Sequence, residues 1–253
     1  MNRHADIAGT AGQDAAMVGI WGVILLVCAV LAGPGAAFAA AANPCAPSRN
    51  AITLDFTTKA SQPIYNNRLT IAGIRNLFAT RGQPLGERHQ KALGVTYVET
   101  MLSMQAATRI KPQGRGFCVY LDRVEADFGW DRMEVYVASE YKPGSCEYRM
   151  VLDHENQHVG INQQALRDSA PRVRAALEAI LRDQAPVYVA SPDGAADRAL
   201  TAIHGRMNGS LDAFQRIIAE RNGVIDTDSN YEAVSQMCEG WDGDKKAPPR
   251  KRP

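Results

Sequence analysis

The sequence has almost no net charge. Its 253 residues include 28 Lys and Arg against 27 Asp and Glu, which leaves a formal net charge of +1 and a pI near 7.7. It contains no large basic patch, and an extended positive surface is the usual electrostatic footprint of nucleic-acid binding. We therefore expect no nucleic-acid partner.

The five cysteines include no C-x-x-C pair, so we expect no zinc site built on cysteines. Cys28 lies in an N-terminal apolar run. The other four form an even set that is compatible with two disulfides in an oxidising compartment: Cys45, Cys118, Cys146 and Cys238. Four cysteines allow three pairings.

Long hydrophobic runs are scarce, and the clearest one covers residues 17–31. It is uncharged and leads into small residues with A-x-A-like cleavage sites, which predicts a signal peptide over residues 1–42. The remainder would be periplasmic or secreted, without membrane contact after cleavage. Asp6 and Asp14 weaken the positive bias of the first residues, and the alternative is an uncleaved membrane anchor.

The mature chain is long enough for one hydrophobic core, and we predict a single domain over residues 43–241. Residues 242–253 are rich in proline and basic side chains, and we predict a disordered tail there.

Histidine is also rare, yet two of the five histidines bracket a glutamate in His154-Glu155-Asn156-Gln157-His158. Apolar residues continue the three- and four-residue spacing around this segment, which predicts a helix. Residues four apart share a helix face, so His154 and His158 would present two imidazoles to one point. This H-E-x-x-H pattern predicts two Zn²⁺ ligands, with Glu155 as general base. The alternatives are that two histidines share a helix by accident, or that one of them is a core residue whose ring nitrogens are satisfied by hydrogen bonds.

Strand patterns dominate before this motif and helix patterns after it. Residues 51–57, 96–106, 117–128 and 133–141 are predicted strands, the last two joined in a hairpin around Gly129-Trp130-Asp131, and residues 69–79 fit a helix slightly better. Downstream, a long helix capped by Ser145 and kinked at Pro171 precedes a second helix from Ala195 to Asn222. The predicted fold class is α+β, with an antiparallel sheet in the N-terminal half followed by a long helical hairpin that carries the HExxH helix.

The antiparallel hairpin ranks the candidates for a third metal ligand. A reversal near residue 189 would place the two histidines beside residues 220–226, so Asp226 is preferred. The other candidates, in order, are Asp228, His204 and Glu178. A break of the helix at Pro171 would instead favour His204 and Glu178.

Asp226 has a competing structural role, because Asp226 or Thr227 could cap a short helix that is predicted to start at Asn230. Tyr231 could donate a hydrogen bond to a developing oxyanion or simply pack. The hairpin geometry also brings Cys146 near Cys238 and leaves Cys45 with Cys118.

The chain resembles a zincin, and more narrowly it is similar to bacterial exported proteins predicted to be zinc-dependent proteases. The resemblance covers residues 95–238 and rests on Phe117-Cys118-Val119, on HENQHV at 154–159, on a second long helix and on an Asp-containing closing segment. In that group of proteins the closing segment contains Tyr-Asp, then Thr, then His-Gly. In this chain only the Asp of that pattern has a counterpart, which is Asp226. The metzincin extension is absent, because Gly160 comes one residue early.

These observations predict an exported zinc-dependent peptidase in which Glu155 activates a metal-bound water against a peptide or protein substrate. The alternative is a non-catalytic envelope domain with a structural or vestigial metal site and a helical-hairpin interaction surface. A hydrolase acting on a bond other than a peptide is a third possibility. An open metal position would indicate catalysis, whereas four protein ligands would indicate a structural site.

Overall fold

The computed structural model describes residues 43–81 and 93–238, and the described residues from Cys45 onward belong to one compact unit. The predicted signal peptide and basic tail lie outside the described residues. Within the two described ranges, no helix is both long and apolar enough to cross a bilayer.

Five strands and four helices are described, in chain order: β1 (Thr53–Lys59), β2 (Ile64–Asn66), α1 (Ile71–Thr80), β3 (Gly94–Gln113), β4 (Gly116–Val137), α2 (Cys146–Arg182), β5 (Val187–Val189), α3 (Ala195–Gly223) and α4 (Asp228–Ser235). The predicted α+β class agrees with this content.

Strand β4 is the centre of the sheet. Along one side it pairs with β3, antiparallel, and along the other side it meets β5, β1 and β2 in turn. The predicted antiparallel sheet is wrong, because β1 and β2 both run parallel to β4. Lys59 pairs with Gly129 and Ile64 with Glu134, so the chain continues in one direction along the same edge instead of reversing. Residue alternation reports which face a side chain occupies and carries no information on strand direction.

The hairpin predicted around Gly129-Trp130-Asp131 is also wrong, because β4 runs through these residues without turning. Thr100 pairs with Trp130 and Glu99 with Arg132, which leaves Asp131 as the extra residue of a β-bulge. The bulge shifts the alternation by one, so Trp130 and Met133 both enter the core. Gly129 has a φ of +154°, and a Cβ there would collide with the carbonyl oxygen of Lys59.

The main core lies between the sheet and the α2–α3 hairpin. The rings of Phe128 and Trp130 from β4 have centroids 5.0 and 5.3 Å from that of Phe214 on α3. Helix α1 forms a second cluster in which Ile74 and Phe78 pack with Tyr136. Since neighbouring strand residues point to opposite faces, α1 covers the other side of β4.

The helical hairpin forms as predicted. Helix α2 continues through Pro171, and the Ser145 side chain caps it by accepting a hydrogen bond from the Tyr148 amide. Asn222 near the end of α3 donates to Asn162 of α2 at 2.9 Å, whereas Arg206, earlier in α3, reaches the later residue Ile180. The two helices are therefore antiparallel.

Both predicted disulfides are present. Cys45 is bonded to Cys118 and Cys146 to Cys238, so the pairing inferred from the hairpin is confirmed. Two disulfides are typical of a protein that folds in an oxidising compartment.

Candidate metal centre

Three donor atoms converge beside the motif helix. His158 Nε2 lies 3.2 Å from His154 Nε2 and 3.1 Å from Asp226 Oδ1, and the third side of the triangle, from His154 Nε2 to Asp226 Oδ1, is 3.4 Å. Donors bound at about 2.0–2.1 Å to a tetrahedral zinc ion are about 3.3–3.4 Å from one another. The triangle therefore has the size that one such ion requires, and the three side chains can hold a metal.

His158 is oriented by a chain of amides. Its Nδ1 lies 2.7 Å from Asn222 Oδ1, and Asn222 in turn donates from Nδ2 to Asn162 Oδ1 and to the carbonyl oxygen of Ile218. Because both of these contacts require Nδ2 as donor, Oδ1 is left to accept from His158 Nδ1–H. With the Nδ1 proton held in this way, His158 can give up its Nε2 proton and direct that lone pair at the triangle, as metal ligation needs.

We expect Asn222→Ala to weaken zinc binding about 10- to 100-fold, since it frees the ring and tautomer of His158. Zinc affinity measured by competition with a chromophoric chelator checks this. Asn208→Ala, an exposed asparagine on the same helix, is the matched control and should leave the affinity unchanged. Equal affinities in the two variants would contradict the orienting role.

Asp226 faces the histidines, and Thr227 takes the capping role. The Thr227 side chain accepts from the Asn230 amide at the start of α4. Burial alone would raise the pKa of Asp226, but hydrogen bonds from His154, His158 and Tyr231 outweigh it and hold that pKa well below the usual range. The carboxylate is therefore ionised and available as a ligand.

The other three candidates lie elsewhere. Glu178 pairs with Arg174 on α2 at 2.8 Å, Asp228 is exposed in the first turn of α4, and His204 lies on α3. Among the described residues, the one group of three or more His, Cys, Asp or Glu that can share an ion is His154, His158 and Asp226. With these three ligands from the described residues, a tetrahedral ion would have one further position for water or substrate.

Glu155 is only 4% exposed and is held from the sheet side. Its Oε2 accepts a hydrogen bond from Thr96 Oγ1 at 2.7 Å. Burial raises the pKa of Glu155, despite the opposing effect of the two histidines and Thr96. A carboxylate whose pKa is raised by burial is a stronger base than an ordinary surface glutamate.

Gly94, the first residue of β3, allows this strand to approach the motif helix closely. A Cβ at this position would lie 2.6 Å from Val151 Cγ1 and 2.7 Å from Glu155 Oε1, too close for either contact. The absence of a side chain at Gly94 therefore makes the space that Glu155 occupies.

Tyr231 lies over the centre. Its hydroxyl donates to Asp226 Oδ1 at 2.7 Å, and its ring centroid is 5.3 Å from that of His154. Burial and the hydrogen bond to Asp226 raise the pKa of Tyr231, so the phenol stays protonated as a donor. His154 Nδ1 is buried, and no partner for it is found within the described part of the chain.

Sequence reasoning missed Asn222, Thr96 and Gly94. Asn222 falls within the segment that the hairpin geometry places beside the histidines, so the same argument could have found it. Thr96 and Gly94 contact Glu155 because strand β3 lies against the motif helix, and nothing in the sequence pattern indicates that this strand and this helix meet.

Comparisons with protein-family models, curated proteins and solved structures find no match to this chain, so the function of the centre has to be inferred from its geometry and donor set.

Proposed function

We propose that the protein is an exported zinc-dependent peptidase. The observation that carries the proposal is the triangle of His154 Nε2, His158 Nε2 and Asp226 Oδ1, with sides of 3.1–3.4 Å. The carboxylate of the buried Glu155 is close enough to interact electrostatically with all three side chains. Three donors are the number that catalytic zinc sites use, whereas structural sites have four.

The donor set favours zinc over the hard cations. Two imidazole nitrogens and one carboxylate suit Zn²⁺, while Ca²⁺ and Mg²⁺ prefer all-oxygen sites with six or more ligands. When bound, zinc would polarise a substrate carbonyl and lower the pKa of a coordinated water to about 7.

The protein side chains have separate roles in this proposal. Glu155 takes a proton from the attacking water and passes it to the leaving amine, while Thr96 fixes the direction of its carboxylate. Asn222 keeps His158 in the ligating tautomer. The Tyr231 hydroxyl, 2.7 Å from Asp226 Oδ1, is close enough to the centre to donate to an oxyanion that forms there.

Export is supported by two features. The N-terminal apolar run has the pattern of a signal peptide, and both disulfides fit an oxidising compartment. The substrate class we propose is a peptide bond in a protein or in a cell-wall peptide.

Elemental analysis and turnover together test the proposal. We expect about one zinc per chain after metal repletion, hydrolysis of unfolded protein substrates or peptide libraries, and loss of both after removal of zinc with a chelator. Re-addition of zinc should restore turnover. Retained zinc without hydrolysis of any peptide would favour the non-catalytic envelope domain, and a chain that binds no zinc would contradict the metal centre.

A further inference from the structure

The segment after α3, residues 224–238, carries two side chains of the centre and packs weakly. Asp226 and Tyr231 both belong to it, yet α4 within it buries none of its residues. Val224 is 72% exposed and Met237 is 62% exposed. A segment with so little apolar burial gains little from packing and opens easily unless another interaction holds it.

The two ends of this segment are held differently. At its start, the amides of Ile225 and Asp226 donate to the Asn222 carbonyl at 3.1 and 3.2 Å. At its end, Cys238 is 8% exposed and is bonded to Cys146, the first residue of α2. Cys146 lies about two helical turns before His154 on the same helix.

We infer that the Cys146–Cys238 disulfide is a positioning element of the metal centre, which fixes the segment carrying Asp226 and Tyr231 against the helix that carries both histidines. This inference rests on the proposed zinc site. Without the bond, the described part of the segment is attached covalently only through α3, and α4 can leave the centre together with Tyr231. With the bond, the three donors lie within 3.4 Å of one another, the spacing that one ion needs.

The other disulfide provides a matched control. Cys45–Cys118 closes a span of 73 residues and Cys146–Cys238 a span of 92, so removal of either frees the unfolded chain to a similar extent. Cys45 and Cys118 pack with Tyr120 in a separate cluster, away from the histidines. A difference between the two variants in zinc binding therefore reports on position and not on general stability.

The test compares Cys146→Ser/Cys238→Ser with Cys45→Ser/Cys118→Ser in the purified protein. We expect the first variant to bind zinc about tenfold more weakly or worse by chelator competition, and to release it faster. Hydrogen exchange across residues 224–238 should also speed up, with or without zinc. The second variant should match the parent in all three measurements. Equal zinc affinity and equal exchange in the two variants would overturn the inference.

A third variant covers the case in which the first does not fold. Insertion of three glycines between Gln236 and Met237 keeps both disulfides but slackens the connection, and we expect faster exchange in the segment together with weaker zinc binding. Unchanged behaviour of the insertion variant would overturn the inference. If the parent itself bound no zinc, the proposed function would fail, and the exchange measurements on the metal-free chains would still decide whether the disulfide fixes the segment.

Discussion

Glu155→Gln should lower peptide hydrolysis by about a thousandfold while the protein retains its zinc, within the range of 10²–10⁴ that a positioned general base contributes. The amide cannot take a proton from water. It has nearly the same shape as the carboxyl group, and its oxygen can still accept the hydrogen bond that Thr96 donates to Glu155. Initial rates on a peptide substrate and zinc content of the same samples check the prediction.

Folding should not suffer in this variant. Glu155 is almost fully buried, and burial raises its pKa because the charged form is poorly solvated there. A neutral amide removes that penalty, so we expect a thermal midpoint no lower than that of the parent. Glu147→Gln, in the first turn of the same helix, is the matched control and should keep full turnover. Near-parental turnover in Glu155→Gln would exclude the general-base role.

More of the metal centre than of the sheet could be predicted from the sequence. The motif fixes two donors on one helix face, and the uninterrupted helix through Pro171 makes the hairpin geometry reliable. Residues before and after the reversal then have to face each other, which points to Asp226 and to the pairing of Cys146 with Cys238. Each step concerns helices, where the 3.6-residue period carries direct geometric information.

The strand directions and the unbroken course of β4 could not be predicted, for two physical reasons. A two-residue period is the same for parallel and antiparallel strands, so the directions of β1 and β2 could not be deduced. The bulge at Asp131 changes the phase of the alternation, and in the sequence this phase change has the same appearance as a turn beside Gly129. The contacts of Thr96 and Gly94 with Glu155 depend on this sheet, and they were missed with it.

Asp226→Ala should weaken zinc binding by more than about a hundredfold, beyond the loss expected for a residue that only orients a ligand. The substitution removes one corner of the donor triangle and leaves the two histidines as a pair. Chelator competition measures the affinity. Asp228→Ala is the matched control, because Asp228 is an exposed aspartate two positions along and should leave the affinity unchanged.

A second measurement on Asp226→Ala needs no metal. Burial lowers the pKa of His158, but Asp226, Glu155 and Asn222 outweigh burial and hold that pKa above its usual value in the metal-free chain. Loss of Asp226 should therefore lower the pKa of His158, which NMR titration of the imidazole can follow. If zinc affinity and the His158 titration both match those of Asp228→Ala, Asp226 is not the third ligand, and the triangle that supports the proposed peptidase would have to be abandoned.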